Sequence, residues 1–141
     1  MKNHFNDFEV GDISPKWERV TGPMEWNRFA AANDEFYLVH MDDQVAIAAE
    51  NPEGMFGMGQ MRFSYIHNAI RDWLGDEIEV MQVSCRYTAI NQKNDTLSTT
   101  LKVIEKITNE ADEKILKLEV DVFRQDGTST TPGFALVKLP Q

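Results

Sequence analysis

Hydrophobic and polar positions follow two different periods along this chain, and the change falls near residue 76. In the second half they alternate. Ile78, Val80 and Gln82 oppose Met81, Val83 and Cys85, and Leu116, Leu118, Val120 and Val122 oppose Ile115, Lys117, Glu119 and Asp121. That period of two predicts strands over residues 77–89 and 114–124. Residues 96–108, rich in Thr, Leu, Val and Ile, predict another, and residues 134–139 a last one. Asn91-Gln92-Lys93-Asn94-Asp95, Asn109-Glu110-Ala111-Asp112-Glu113 and Gln125-Asp126-Gly127-Thr128 supply the turns, the third a hairpin of the Asp-Gly type. Four consecutive antiparallel strands joined by short turns favour a meander over crossovers.

In the first half the period is helical. Thr21 is a plausible N-cap, with Pro23 tolerated in the first turn, for a helix over residues 24–32. Asp42 or Asp43 can cap a short helix over residues 44–50, which Asn51-Pro52-Glu53-Gly54 breaks. The longest periodic segment covers residues 60–74 and closes at Gly75. Met61, Tyr65, Asn68 and Asp72 lie along one line of it, and Phe63, Ile66, Ile70 and Trp73 along another. A helix apolar over so much of its circumference is largely buried. It must lie on the concave face of the sheet, with the N-terminal helices or a second subunit covering its far side. A short strand near Trp17 and Val20 completes an α+β layout, one domain over residues 1–141.

Composition narrows the function classes. The net charge of -9 argues against general nucleic-acid binding, whose affinity comes largely from neutralised phosphates. The single Cys85 gives no disulfide framework and no thiolate metal site. No apolar run reaches membrane-spanning length, and the first residues lack the apolar core of a signal peptide. A soluble cytoplasmic protein is expected. The three histidines and the acids form no spaced ligand set, so no metal is expected.

One stretch fits neither period: Asn33-Asp34-Glu35-Phe36-Tyr37-Leu38-Val39-His40-Met41-Asp42-Asp43. It places Asp34 and Glu35 five or six positions before His40, in the connection between two helices. An imidazole and a carboxylate so placed can act as an acid/base pair, or can be a satisfied His and a capping acid. Gly57 and Gly59 precede the long helix. They let a ligand approach its N-terminus closely, or they only make the turn. Tyr65, His67 and Asn68 read as packing or interface residues, Cys85 as a small core residue and His4 as part of a mobile terminus. Arg62, Arg71, Arg86 and Lys93 could meet the phosphates of a ligand, but read first as solvated cations.

The order of these elements resembles the single-domain MaoC-like acyl dehydratases, the (R)-specific enoyl-CoA hydratases of the hot-dog fold. The resemblance runs over residues 8–139. Phe8-Glu9-Val10-Gly11-Asp12 is similar to the family's opening segment, and Met24-Glu25-Trp26-Asn27-Arg28-Phe29-Ala30 to its first helix. His40 and Asp42 match the family's His and following Asp, and Gly57-Met58 its Gly-Met before the central helix. Asp95-Thr96-Leu97 and Gly133-Phe134-Ala135 match later positions. Glu35 stands where the family carries Asp, Tyr37-Leu38 where it usually has Asn-Pro, and Phe56 where a His is common.

The resemblance implies an antiparallel sheet wrapped around a long central helix, with short overhang helices before it. It implies reversible hydration of 2-enoyl thioesters, or dehydration of 3-hydroxyacyl thioesters. Glu35 and His40 would be the proton-handling pair, with Asp34 as the out-of-register alternative. The thioester carbonyl would be held at Gly57 or Gly59, and Tyr37 would line or occlude the acyl pocket. No cofactor is implied beyond the CoA or acyl-carrier thioester that is the substrate. A homodimer or higher oligomer is expected. The alternatives are a non-catalytic subunit of a hetero-oligomeric hydratase and a hot-dog thioesterase.

Overall fold

The structure is a computed structural model and describes residues 4–140. A five-stranded antiparallel sheet curls around one long helix. The strands are β1 (Trp17–Val20), β2 (Glu79–Cys85), β3 (Thr96–Thr108), β4 (Lys114–Arg124) and β5 (Gly133–Lys138). The helices are α1 (Pro23–Asn33), α2 (Asp43–Ala48) and α3 (Gly59–Leu74), with a 3₁₀ turn at Leu38–His40.

The strand order is β1-β3-β4-β5-β2. Only β3, β4 and β5 form a meander; β2 pairs with β5 at the far edge. This corrects the expected succession of neighbours. Residues 86–95 are too long for a tight hairpin, and they carry the chain from one edge of the sheet to its middle. On the way they pass the start of α3, where the Gly57 amide donates to the Asn91 carbonyl at 2.9 Å.

Alternation in the central strands builds the core. Leu97, Leu101 and Val103 of β3 and Leu116, Leu118, Val120 and Val122 of β4 are fully buried on the inner face. Ile66 and Ile70 of α3, Trp26 of α1 and Phe8 are fully buried among them. Each such side chain contributes roughly 1.5–3 kcal/mol by leaving water. α3 buries Met61, Tyr65, Ala69 and Leu74 as well, but Asn68 is exposed and His67 half-buried. One flank of the helix is therefore open in the single chain, where the apolar pattern predicts burial nearly all round.

The helix ends follow local chemistry. Gly22, not Thr21, is the N-cap of α1, and Pro23 is its first residue. Thr21 is buried instead, its hydroxyl accepting from Trp26 Nε1 at 3.3 Å and from Asn91 Nδ2 at 3.1 Å. Asp42 caps α2, accepting from the amides of Gln44 at 2.8 Å and Val45 at 3.1 Å. His4 is tied down by its amide, which donates to Asp7.

Candidate active site

α1 stops at Asp34, which adopts the left-handed conformation (φ 53°, ψ 38°) with its amide bonded to Ala30. Asp is one of the few side chains that visit this region readily. Asp34 is exposed, and its position in the turn accounts for it. Glu35 follows, half-buried. The chain then runs over the surface, with Phe36, Tyr37 and Leu38 59%, 65% and 60% exposed, and closes a 3₁₀ turn at His40.

His40 is half-buried, and its Nδ1 lies 2.8 Å from the Phe56 carbonyl oxygen. A carbonyl only accepts, so Nδ1 carries the proton and Nε2 of the neutral ring is left as a free base. The Phe56 ring meets the imidazole edge-on at 5.1 Å, and the Tyr37 ring does so at 6.0 Å. Tyr37 thus flanks His40 from the solvent side. Phe56 orients the imidazole through its backbone, which a side chain of any type at that position would leave in place.

The two glycines have different surroundings. The Gly57 amide is already committed to Asn91, and a Cβ at Gly57 would fall 2.2 Å from Asn91 Nδ2. Close packing of this chain on itself explains that glycine. Gly59 is the first residue of α3, and no side chain caps the helix. The orphan amides of its first turn and the helix dipole favour an anion there. A Cβ at Gly59 would meet the Tyr87 ring at 2.9 Å.

Tyr87 is not singled out by any period of the sequence, yet it and Arg62 are neighbours of the start of α3. Tyr87 is 47% exposed. Burial raises the Tyr87 phenol, as do Cys85 and the Glu35 carboxylate, while Arg62 lowers it. The Glu35 carboxylate is thereby placed within electrostatic reach of the ring that covers Gly59. Arg62 is only 2% exposed, a correction to its reading as a solvated cation. Its Nη1 donates to the Ala89 carbonyl, its guanidinium lies 5.5 Å from the Tyr87 ring centroid, and its Nε has no partner. Burial pushes the Arg62 guanidinium down to about 10. Lys93 is likewise not free, since it pairs with Asp43 at 2.8 Å. Arg71 and Arg86 are exposed as expected.

A cavity of about 540 Å³ lies elsewhere, against β3 and β4 beside Ile13, Phe123 and Pro132. Among the described residues no cluster of three His, Cys, Asp or Glu side chains could hold a metal, and no helix is long and apolar enough to cross a membrane.

No protein-family model matches the chain, and neither does any curated protein. Solved structures do match. The (R)-hydratase PhaJ1 from Pseudomonas aeruginosa superposes with a TM-score of 0.84 at 24% identity, over 97% of this chain and 85% of that one. An (R)-hydratase from A. caviae involved in PHA biosynthesis gives 0.81 at 26%, over 94% and 98%. The chain has the MaoC-like hot-dog fold. A MaoC-like dehydratase from Rhodospirillum rubrum shares it with a TM-score of 0.80 at 16% identity, over 95% and 94%. In this fold the connection between α1 and α2 seats His40 on the Phe56 carbonyl, three residues before α3 begins, with Glu35 five residues earlier in the same connection.

Proposed function

We propose that the chain is a hydratase of 2-enoyl thioesters, carried on CoA or an acyl carrier, working reversibly on the corresponding 3-hydroxyacyl thioesters. The observation that carries this reading is the hydrogen bond from His40 Nδ1 to the Phe56 carbonyl, which leaves Nε2 of the neutral ring as a base and anchors the imidazole three residues before α3 begins. The fold it shares with (R)-hydratases supports the same reading.

In the hydration direction His40 Nε2 takes a proton from water as its oxygen bonds to C3. The C2=C3 π pair shifts to C1=C2 as the carbonyl π pair moves onto the thioester oxygen; the enolate then collapses as C2 takes a proton from Glu35, which enters as the carboxylic acid and leaves as the carboxylate. The proton on His40 then resets Glu35 through solvent. The enolate oxygen is held by the uncapped amides at the start of α3, with Gly59 first. Gly57 is not assigned that task, because its amide is occupied. Asp34, exposed in its turn, is assigned none.

The active form is an oligomer. β2 is an edge strand with Met81 45% exposed, and Phe36, Tyr37 and Leu38 stand out beside His40; a second copy would cover such surfaces. Sedimentation as a stable monomer would contradict this.

The test of function is loss of enoyl absorbance from a series of 2-enoyl-CoA chain lengths, with wild type and with His40→Ala. General acid–base catalysis contributes about 100- to 10,000-fold, so His40→Ala is expected to lose activity in that range. Activity that survives unchanged refutes the assignment. A second reading, a non-catalytic subunit, is favoured by the Tyr87 ring lying over Gly59. Inactivity at every chain length would select it.

A further inference from the structure

The Phe56 carbonyl that orients His40 belongs to a peptide unit whose other end is also pinned. The amide of that unit is the Gly57 N–H, which donates to the Asn91 carbonyl at 2.9 Å. A trans peptide is planar, so fixing the direction of its N–H fixes the direction of its C=O. His40 Nδ1–H, the 56–57 peptide and the Asn91 carbonyl therefore form one chain of hydrogen bonds, each polarising the next.

Two side-chain pairs hold the loop that contains this peptide. Asn51 and Gln92, 7% and 8% exposed, exchange two hydrogen bonds through their amides, at 3.0 and 2.9 Å. Asn51 Nδ2 also donates to the Gly54 carbonyl. Asp43 accepts from the Met55 amide at 2.8 Å and from Lys93 Nζ at 2.8 Å. Residues 91, 92 and 93 thus each hold one point of residues 43–57, and residues 55 and 57 are held on both sides of Phe56. The anchor itself is firm. The Gln92 amide donates to Asp95 Oδ2 at 2.7 Å, and Asp95 is buried against Arg124 at 3.1 Å.

We propose that Gln92 and Lys93, through Asn51 and Asp43, are positioning residues that hold the Phe56 carbonyl on His40 and so keep the imidazole in its Nδ1–H form. This rests on the hydratase reading for its consequence, since that form is what frees Nε2 as the base. The geometry itself does not depend on it. Lys93 and the Met55 amide hold the Asp43 carboxyl below its ordinary range, consistent with a formed pair. In this role both act through the loop.

The test uses the full chain labelled with ¹⁵N at histidine, with the His40 ring assigned by His40→Gln. Neutral wild-type His40 is expected to show the Nδ1–H pattern alone. Lys93→Met and Gln92→Ala are each expected to bring in the Nε2–H pattern. Lys93→Arg, which keeps a cation at Asp43, is expected to restore the wild-type spectrum. Lys114→Met, which removes an ion pair with Asp112 far from the loop, is expected to leave it unchanged. On an enoyl thioester, kcat should fall about 10-fold in the first two variants with KM nearly constant, because a misplacement of about 1 Å costs up to about 100-fold.

An unchanged Nδ1–H pattern in both variants overturns the proposal, whatever happens to stability. Lys93→Met decides it alone where Gln92→Ala does not fold, since that side chain is half-exposed. A wild type with no hydratase activity removes the proposed function but leaves the spectral comparison decisive.

Discussion

Gly57→Ala is expected to destabilise the fold through one identifiable collision. The new methyl would stand 2.2, 2.5 and 2.6 Å from Nδ2, Oδ1 and Cγ of Asn91. Ordinary contacts between such atoms are about 3.5 Å or more, so something must move by about 1 Å. Asn91 has little room, being 1% exposed with its Nδ2 bonded to Thr21. Overpacking costs roughly 1–3 kcal/mol, and displacing the amide from Thr21 adds about 1 kcal/mol. Stiffening of the unfolded chain offsets about 0.4–1 kcal/mol of that, since Gly57 does not need a positive φ. The net expectation is about 1.5–3 kcal/mol. Asn91→Ala deletes all three obstructing atoms, and alone should cost about 1–2 kcal/mol for the lost hydrogen bond. In the double variant the methyl enters vacated space, so the two costs should fall short of their sum by about 1–3 kcal/mol. Urea unfolding of all four proteins measures this, provided the slopes agree. Additivity within about 0.5 kcal/mol would refute the collision. A Gly57→Ala protein of wild-type stability that has lost activity would return Gly57 to the role of a ligand-approach site.

Two further predictions concern stability. Asp42→Ala should cost about 1 kcal/mol, since its carboxylate caps α2, and Asp42→Asn should recover most of it; thermal unfolding of the pair is the check. Burial, with the Glu25 carboxylate adding to it, pushes the Tyr65 phenol up to about 12 from its ordinary 10. The folded state then holds a proton that the unfolded state releases first, so the stability Tyr65 supplies is intact below pH 10 and lost between pH 10 and about 12. The Arg62 guanidinium, pushed down to about 10, works in the opposite direction over the same range, so the comparison must be wild type against Tyr65→Phe. Wild type should lose more stability than Tyr65→Phe on going from pH 10 to pH 12, and equal losses would refute the burial argument.

What the sequence made legible and what it left hidden divide along the distinction between period and register. A run rich in Thr, Leu, Val and Ile placed β3 over residues 96–108, and alternation placed β4 over residues 114–124, because the side chains of a half-buried strand must sort by face wherever the strand lies in the sheet. Alternation carries no information on which strand lies beside which. Hence β2 was legible as a strand, but not as the partner of β5. The same limit governed the site. His40 and Glu35 stood out because they interrupt both periods, whereas Asn91, Gln92 and Lys93 looked like an ordinary polar turn. Such turn residues can cap, bend or bond to anything within reach, and only the crossing of residues 86–95 past the start of α3 selects their partners. Arg62 was misjudged for a related reason. On the helix its spacing allowed either face, and a lone cation is usually solvated. The crossing connection buried it by supplying the Ala89 carbonyl and the Tyr87 ring. Two of the positions where this chain departs from the related motif, Phe56 and Glu35, show how local and tertiary information combine. Phe56 supplies its backbone carbonyl to His40, a service that survives any side chain, so the substitution leaves the imidazole oriented. Glu35 must deliver its carboxylate by its own side chain, one methylene longer than Asp, at the end of a turn set by left-handed Asp34. In the proposed pair it is therefore the carboxylate, not the imidazole, on which the exchange of residue bears directly.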